Sequence, residues 1–347
     1  MRTSGRLRFS RVEEPPGHRK NPGDSMHRRH AGFVLAALAF SLPGLASAQT
    51  YPDKPIRLIV PYPPGASTDA LGRLVGQKVS ASIGQPVVVD NRGGASGNIG
   101  TEAVAKSPPD GYTFGLGTDA THAANTHLVA NPPFQPLRDF TPLALAAMNP
   151  IVLVVHPSVP ASNLQELIAY VKANKDKAGF GSSGTGSPHH LAGELLRSRT
   201  GAPFTHVPYR GGGPALNDLI GGQIPMLFAS AITVIPHIQG GRAKAIAITS
   251  AARWEKMPNV PTIAETLEGF DVPSWLAFFG PANLPAPIAS RLSGEIVKAL
   301  NDPEVKAKLT ESGLIVVGGG PRELADMQRK DYELKGRIIR DAGVKAD

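Results

Sequence analysis

The chain contains no cysteine. This absence excludes disulfide bonds, thiolate metal ligands, a cysteine nucleophile and a lipid anchor on a cysteine. Aromatic residues make up only 6% of the 347 residues, with two tryptophans. No apolar run approaches the roughly 20 residues that a membrane-spanning helix needs. We therefore expect a protein held together by aliphatic packing, without disulfides, lipid or membrane span.

The N-terminus carries the three parts of a secretory signal peptide. A basic segment, Met26-His27-Arg28-Arg29-His30, precedes an apolar run over residues 31–42, and Ala46-Ser47-Ala48 provides small residues for cleavage. This pattern predicts a leader over residues 1–48, export out of the cytoplasm and a mature chain that starts near Gln49. Met26 opens this basic segment, so the true start is either Met1 or Met26.

Excess positive charge belongs mainly to the leader. Residues 1–48 hold eight Lys/Arg and three Asp/Glu, which leaves 28 of the 36 basic and 25 of the 28 acidic residues in the rest of the chain. The predicted mature chain has a net charge near +3 and no basic cluster interleaved with aromatics. Binding to nucleic acid is therefore not expected.

Short β-prone runs alternate with amphipathic segments, as in an α/β protein with mainly parallel sheets. Two positions, Asn149-Pro150 and the segment before Trp275, read as crossings between lobes. We predict one lobe from residues 49–150 plus 271–347 and a second from residues 151–270. A ligand cleft is expected between them.

Four Gly/Pro/Ser-rich turns each follow a strand and precede a helix. They cover residues 61–69, 93–98, 181–188 and 209–214. Glycine lets the backbone approach a ligand closely, and the N–H groups of the following helix favour an anion. In open α/β sheets, ligands bind beyond the carboxyl ends of the strands, so turns from two lobes are expected to face one cleft. The pattern favours binding of a carboxylate.

Three further residues are candidates with more than one interpretation each. Asp69 either contacts ligand or caps the first turn of a helix. Asp119 either pairs with a ligand ammonium group, is solvated, or pairs with His122. Trp275 lines the cleft wall or packs at the lobe junction.

Catalytic and metal motifs are absent from the sequence. It has no G-x-S-x-G elbow, no H-E-x-x-H, no Walker A and no G-x-G-x-x-G pattern, so neither a cofactor nor a metal is predicted. A secreted hydrolase that uses Ser183 or Ser187 with His190 remains an alternative of a different class.

Several motifs together resemble one protein family over essentially the whole predicted mature chain. They are Tyr51-Pro52-Asp53-Lys54-Pro55-Ile56, Pro61-Tyr62-Pro63-Pro64-Gly65-Ala66-Ser67-Thr68-Asp69, Gly97-Asn98-Ile99-Gly100, Pro108-Pro109-Asp110-Gly111-Tyr112-Thr113, Gly181-Ser182-Ser183-Gly184 with His190-Leu191, and Val207-Pro208-Tyr209-Arg210-Gly211-Gly212-Gly213-Pro214-Ala215. In this set the chain resembles the substrate-binding proteins of tripartite tricarboxylate transporters, the Bug receptors.

The resemblance implies a periplasmic, type II-like binding protein whose two α/β lobes close on a small carboxylate and deliver it to a pair of membrane permease subunits. It also implies that the first strand–helix loop faces loops of the second lobe across the ligand. Together with the candidates above, the expected ligand-binding residues are Tyr62, Pro63, Gly65, Ala66, Thr68, Asp69, Thr118, Asp119, His122, Ser182, Ser183, Gly184, Ser187, His190, Tyr209, Gly211, Gly212 and Trp275.

Two departures from the family pattern bear on the ligand. Gly65-Ala66 stands where two glycines are common in the family, and the extra methyl group of Ala66 narrows the space in the first loop. Asp119 stands where a small neutral residue is expected, which argues against citrate and for an amino acid or another ligand with a positive end. We expect a monomeric, non-catalytic receptor for a small organic acid or amino acid. The alternative is a ligand sensor for a membrane signalling protein.

Overall fold

A computed structural model describes residues 51–65 and 67–345. The predicted leader and signal peptide, and the predicted ligand contact Ala66, lie outside the described residues. Eleven strands are found in the described part of the chain. They are β1 (Ile56–Val60), β2 (Val87–Asn91), β3 (Thr113–Thr118), β4 (Phe140–Met148), β5 (Ile151–Val155), β6 (Gly179–Ser182), β7 (Thr205–Pro208), β8 (Met226–Ser230), β9 (Lys244–Ile248), β10 (Trp275–Pro281) and β11 (Ile315–Gly319).

Ten α-helices accompany these strands over the described residues. They are α1 (Ser67–Ile83), α2 (Asn98–Ala105), α3 (Asn125–Leu128), α4 (Leu164–Ala173), α5 (Pro188–Thr200), α6 (Gly212–Ile220), α7 (Ala231–Gln239), α8 (Ala286–Leu300), α9 (Pro303–Glu311) and α10 (Pro321–Ala342). A short π-helical segment, Ala120–Ala124, leads into α3.

The strands form two mixed sheets. The first sheet has the order β11-β4-β10-β3-β1-β2, and the second has the order β7-β6-β8-β5-β9. In the first sheet β1 runs parallel to β2 and β3, whereas β10 and β4 pair antiparallel with their neighbours. In the second sheet β6 runs parallel to β7 and β8, whereas β5 is antiparallel to β8 and β9.

Local sequence accounts for the boundaries of several elements. All five residues of β5 are buried and aliphatic, as expected for a strand covered on both faces. The Ser187 side chain caps α5 and Pro188 occupies its first turn, while Gly201 ends it in a left-handed conformation. Asp302 caps α9 in the same way, with Pro303 next. Capping thus sets helix ends where the sequence supplies Ser or Asp before Pro.

The chain crosses from the first sheet to the second at Asn149-Pro150 and returns before β10. The Asn149 N–H donates to the carbonyl of Ser274 at 2.8 Å, so the two crossings lie side by side. The strands before residue 150 and after residue 271 belong to the first sheet, and those between belong to the second. This division agrees with the predicted lobe limits, although the exact limits stay a prediction. We call the elements of the first sheet lobe 1 and those of the second lobe 2.

The C-terminal helix α10 contributes to the cores of both lobes. Near its start, Leu324 packs with Ile59, Phe279 and Trp275 of the first sheet. Near its end, Ile338 and Ile339 join the core that contains β5, β6 and α5. This helix therefore bridges the lobes. The prediction that placed residues 271–347 in one lobe does not include this second contact.

The two-lobed α/β class predicted from the sequence is confirmed, and one detail of it is corrected. The sheets are mixed rather than mainly parallel because β4, β10 and β11 in lobe 1 and β5 and β9 in lobe 2 run against their neighbours. Among the described residues no helix combines the length and apolar character needed to cross a membrane.

Candidate functional site

A cavity of about 620 Å³ opens between the two lobes. Its walls come from the loops that follow β1, β2 and β3 in lobe 1 and β6 and β7 in lobe 2. The described residues that line it are Tyr62, Ala95, Ser96, Asn98, Ala120, Asn125, Leu128, Val129, Ser183, Gly184, Thr185, Gly186, Ser187, Pro188 and Tyr209. The cavity thus lies beyond the carboxyl ends of parallel strands, where α/β proteins bind ligands.

Tyr62 forms part of the lobe 1 wall. Its hydroxyl shares a hydrogen bond of 3.1 Å with Thr118 Oγ1. Burial raises the pKa of Tyr62 to about 12, against an opposing effect of the Thr118 hydrogen bond, so the phenol stays neutral. A Cβ on Gly97 would lie 3.3 Å from this ring and 2.7 Å from Thr121 Cγ2, so the turn beside it requires glycine.

That turn, after β2, has an unusual backbone. Ala95 and Ser96 adopt positive φ angles of 45° and 54°, which side chains with a Cβ rarely take. The Asn125 amide holds the turn by donating to the Ser96 carbonyl at 3.0 Å and to Asn98 Oδ1 at 2.8 Å. Asn125 therefore keeps a strained turn in place at the cavity wall.

The lobe 2 wall is the loop between β6 and α5. Ser187 Oγ accepts a hydrogen bond from the His190 N–H at 3.2 Å, and the Gly186 N–H donates to His190 Nδ1 at 3.0 Å. Gly186 has a φ of +76°, and a Cβ there would come within 2.2 Å of Leu128 Cδ1. The loop is therefore closely packed against its own helix and against the chain from lobe 1.

Tyr209 completes the lobe 2 wall. Its hydroxyl donates to Asp218 Oδ2 at 2.7 Å. Burial, followed by the Asp218 carboxylate, raises the pKa of Tyr209 to about 12. Since its hydroxyl is occupied, Tyr209 offers mainly its ring to the cavity.

The cavity wall carries no charged side chain among the described lining residues. Its polar groups are hydroxyls, amides and backbone, with the N-terminus of α5 at one side. Neutral donors and a helix N-terminus can hold a carboxylate without a cation. The described residues also contain no group of three or more side chains suited to hold a metal ion.

Comparison with known proteins gives a consistent result. A model of the tripartite tricarboxylate transporter family receptor matches residues 71–344. The chain belongs to this receptor family. Protein BugT of Bordetella pertussis is 36% identical over 316 residues, which cover 90% of this chain and 96% of that protein. The resemblance inferred from the sequence motifs is confirmed.

Two similar solved structures contain carboxylates. A Rhodopseudomonas palustris protein with adipate is 33% identical with a TM-score of 0.74, over 85% of this chain and 99% of that chain. MatC of Rhodopseudomonas palustris, with bound malate, is 30% identical with a TM-score of 0.71, over 83% of this chain and 100% of that chain. The structure of the periplasmic binding protein BugD is also similar, at 32% identity and a TM-score of 0.71 over 86% of this chain and 100% of that chain. With the match to the transporter receptor family, this makes the chain a receptor and not an enzyme.

The contacts of Ser183 and Ser187 do not match the alternative hydrolase, in which one of these serines pairs with the His190 side chain. Ser187 Oγ caps α5 by accepting from the backbone N–H of His190, and Ser183 Oγ lies 2.7 Å from Nδ1 of His189. The other nitrogen of His189, Nε2, is 3.5 Å from Ser230 Oγ, so it does not meet the carboxylate that a catalytic triad needs. Burial lowers the pKa of His189 to about 4, against an opposing effect of Asp119.

The proposed role of Asp119 as partner of a ligand ammonium group is wrong. This carboxylate is 3% exposed and accepts hydrogen bonds from Lys335 Nζ at 2.7 Å and Ser274 Oγ at 3.2 Å. Lys335 is fully buried and also contacts Asp331 Oδ2 at 2.6 Å and the Pro273 carbonyl at 3.1 Å. Asp119 therefore belongs to an internal ion cluster at the crossing between the lobes.

The electrostatics of this cluster follow from burial. Burial favours the neutral form of Lys335, but Asp119 and Asp331 outweigh it and the pKa of Lys335 is raised. Burial raises the pKa of Asp331 to about 6, although Lys335 acts in the opposite direction. Lys335 therefore offsets the effect of burial on the pKa of Asp331 only in part.

Trp275 and His122 are also structural. Trp275 is fully buried and its Nε1–H donates to Asp331 Oδ2 at 2.8 Å, which fits the packing interpretation. His122 stacks on Phe279 with ring centroids 3.9 Å apart, and burial lowers its pKa to about 3. Neither residue lines the cavity, because both lie behind its wall in the lobe 1 core.

The other predicted contacts divide into two groups. Tyr62, Ser183, Gly184, Ser187 and Tyr209 line the cavity. The remaining ones are not among the lining residues, and direct ligand contact by them stays a prediction. They are Pro63, Gly65, Thr68, Thr118, Ser182, Gly211 and Gly212. His190 is 4% exposed and braces the loop through Gly186 rather than facing the cleft.

Asp69 braces the first loop rather than contacting the cavity. Its carboxylate accepts from the Gly65 N–H and from Asn91 Nδ2, each at 2.9 Å, and pairs with Arg73. Burial acts to raise the pKa of Asp69, but these partners outweigh burial and lower it. The capping interpretation of Asp69 therefore describes its contacts better.

Sequence reasoning missed part of the cavity wall. The turn at residues 93–98 has the sequence of an anion-binding turn, and its Ser96 and Asn98 line the cavity although neither is among the expected ligand-binding residues. Asn125 and Leu128 lie in a segment without a glycine-rich motif, and nothing in the local sequence marks them. They reach the cavity because the segment after β3 folds across its base.

Proposed function

We propose that this receptor binds a small dicarboxylate between its lobes. The observation that carries the proposal is the cavity itself, which is lined from both lobes by neutral hydroxyl, amide and backbone groups. The structural relatives with adipate and malate support the same ligand class. The main argument for an amino-acid ligand was that Asp119 would pair with its ammonium group. This argument fails, because Asp119 is already paired with Lys335.

Binding is expected to favour a closed arrangement of the lobes. Only when the lobes approach can Tyr62 and Ser96 on one side and the loop at residues 183–187 on the other contact the same ligand. Ligand binding therefore shifts the population toward closure. The closed receptor then delivers its ligand to the permease subunits of a tripartite transporter.

Cellular location follows the same reasoning. The family is periplasmic, and the sequence of residues 26–48 has the form of a cleavable signal peptide. We infer export to the periplasm as a monomer without a lipid anchor. Release of residues 49–347 from osmotically shocked cells, followed by light scattering, tests both points, and retention with membranes would contradict the inference.

A binding screen tests the ligand class. Residues 49–347 are titrated calorimetrically with malate, adipate, citrate, benzoate and glutamate after unfolding and refolding to remove any ligand bound during expression. We expect malate or adipate to bind and to raise the unfolding temperature, because a ligand that binds only the folded state stabilises it. Binding of citrate or benzoate alone, or of none of the acids, would overturn the proposal.

A further inference from the structure

The side chain of His189, which does not line the cavity itself, is hydrogen-bonded to the hydroxyl of a lining residue, Ser183. Ser183 lines the cavity, and its Oγ lies 2.7 Å from Nδ1 of His189. His189 is the second residue of α5 and only 8% exposed. Its imidazole is therefore held between the cavity wall and the interior of lobe 2.

The far side of His189 leads to the crossing between the lobes. Nε2 of His189 is 3.5 Å from Ser230 Oγ, and Ser230 Oγ accepts a hydrogen bond of 2.9 Å from Asn149 Nδ2. Four side chains thus form one line of hydrogen bonds from the crossing to the cavity. We call this line, Asn149–Ser230–His189–Ser183, the hydroxyl relay.

The chemistry of its members gives the hydroxyl relay a direction. The amide nitrogen of Asn149 can only donate, so Ser230 Oγ accepts from it and keeps its own hydrogen for His189 Nε2. A neutral imidazole that accepts at Nε2 carries its hydrogen on Nδ1 and donates to Ser183 Oγ. The hydrogen of the Ser183 hydroxyl is then free to point into the cavity.

The opposite direction satisfies fewer groups. If Ser183 donated to Nδ1, His189 and Asn149 would both donate to Ser230. The Ser230 hydrogen would then have no acceptor among the described residues. Ser183 would also present only lone pairs to the cavity, and these repel a carboxylate oxygen.

We propose that His189 is a positioning residue that makes the Ser183 hydroxyl a hydrogen-bond donor to the ligand carboxylate. The inference rests on the proposed dicarboxylate function of the same cavity and assigns that function a specific donor. His189 acts through Ser183 and does not contact the ligand. Its effect on affinity therefore disappears when the Ser183 hydroxyl is absent.

A double-mutant cycle in calorimetry tests this dependence. Malate and adipate are titrated into residues 49–347 with no substitution, with His189→Leu, with Ser183→Ala and with both. We expect each single change to weaken binding about tenfold, as for a lost hydrogen bond to a charged group. The double variant should bind no more than about twofold more weakly than either single one, because both remove the same interaction.

Two further variants separate positioning from simple packing. His189→Asn places an amide N–H near the position of Nδ1–H, and we expect affinity within about threefold of the unsubstituted chain. His156→Leu is the matched control, because His156 Nδ1 makes the same 2.7 Å contact with Ser158 Oγ directly after β5, and neither residue lines the cavity. It should leave affinity unchanged. Thermal unfolding verifies that each variant is folded.

The tautomer of His189 provides a readout that is independent of affinity. In ¹⁵N-histidine NMR spectra at pH 7 we expect a neutral ring protonated on Nδ1, and Ser230→Ala should weaken this preference. A ring protonated on Nε2, unchanged affinity in His189→Leu, or losses that multiply to about a hundredfold in the double variant would each overturn the inference. If the unsubstituted chain binds neither acid, the proposed function fails, whereas the tautomer still decides the direction of the relay.

Discussion

At the scale of single residues, several buried ionisable side chains contact other parts of the protein and do not line the cavity. Asp119, Asp331 and Lys335 form one cluster, and His122 lies in an aromatic core. The sequence showed these residue types but not their partners. Asp119 and Lys335 are 216 positions apart in the chain, so no spacing argument could connect them.

Removing Lys335 should be strongly destabilising. Lys335→Met leaves two buried carboxylates without their cation, and we expect a loss of about 3–5 kcal/mol in the free energy of unfolding. Asp331→Asn should cost much less, because Lys335 keeps Asp119 and the amide oxygen can still accept from Trp275. Urea unfolding at pH 7 measures both. Equal losses in the two variants would contradict the assigned roles.

His122 should make the fold sensitive to acid. Its pKa is about 3 in the folded protein against 6.5 for the free side chain. Below pH 6.5 His122 therefore takes up a proton in the unfolded chain but stays neutral in the folded chain. The penalty is absent at pH 8 and reaches about 2 kcal/mol at pH 5.

Urea unfolding between pH 8 and pH 5 checks the effect of His122. His122→Phe should lose less stability over this range than the unsubstituted chain, by about 2 kcal/mol. A parallel slope for His122→Phe would refute the prediction.

At the scale of elements, strand–helix turns determine where the cavity forms. The loop between β6 and α5, which we call the α5 turn, combines a Ser cap, a Pro in the first helical turn and glycines with positive φ. The Ser, Pro and Gly residues that produce this geometry are all visible in the sequence. The strands β4, β10 and β11 were harder to predict, because their antiparallel pairing depends on segments far apart in the chain. Turn chemistry is local, whereas strand pairing is not.

A glycine in the α5 turn should be required for binding. Gly184 has a φ of +130°, and a Cβ there would lie 3.2 Å from the Tyr209 carbonyl. We expect Gly184→Val to weaken dicarboxylate binding at least tenfold, because it displaces the loop that lines the cavity. Isothermal titration calorimetry measures this loss.

Gly201, at the other end of α5, provides the control for this change. It has a φ of +62° and open space around its Cβ position. Gly201→Val should therefore cost roughly 1–2 kcal/mol of stability through backbone strain alone and leave affinity unchanged. Equal affinity in both variants would show that the turn does not form the site.

At the scale of the whole molecule, two chain crossings and helix α10 connect the lobes. The crossings are joined by the Asn149–Ser274 hydrogen bond, and α10 packs into both cores. The two-lobed organisation could be predicted from the alternation of elements and from the family resemblance. The bridging role of α10 could not, since an amphipathic helix does not specify which surface covers its apolar face.

Closure should be observable as a shorter distance between the lobes. Because the chain has no cysteine, single cysteines at the exposed positions Ile99 and Asn217 can carry spin labels. We expect the distance between the labels to shorten when malate or adipate is added, since both lobes contribute to the cavity wall. An unchanged distance at saturating ligand, with binding confirmed by calorimetry, would exclude closure.

The sequence by itself determined the family, the α/β class and the turns that surround the cavity. These features are local, because glycine, proline and capping side chains act within a few residues. Only the tertiary structure decided that Asp119 pairs with Lys335, that Asn125 reaches the cavity and that His189 contacts Ser183 and Ser230. Each of these contacts depends on how distant segments pack, and burial then determines whether a polar side chain is paired internally or is available to a ligand.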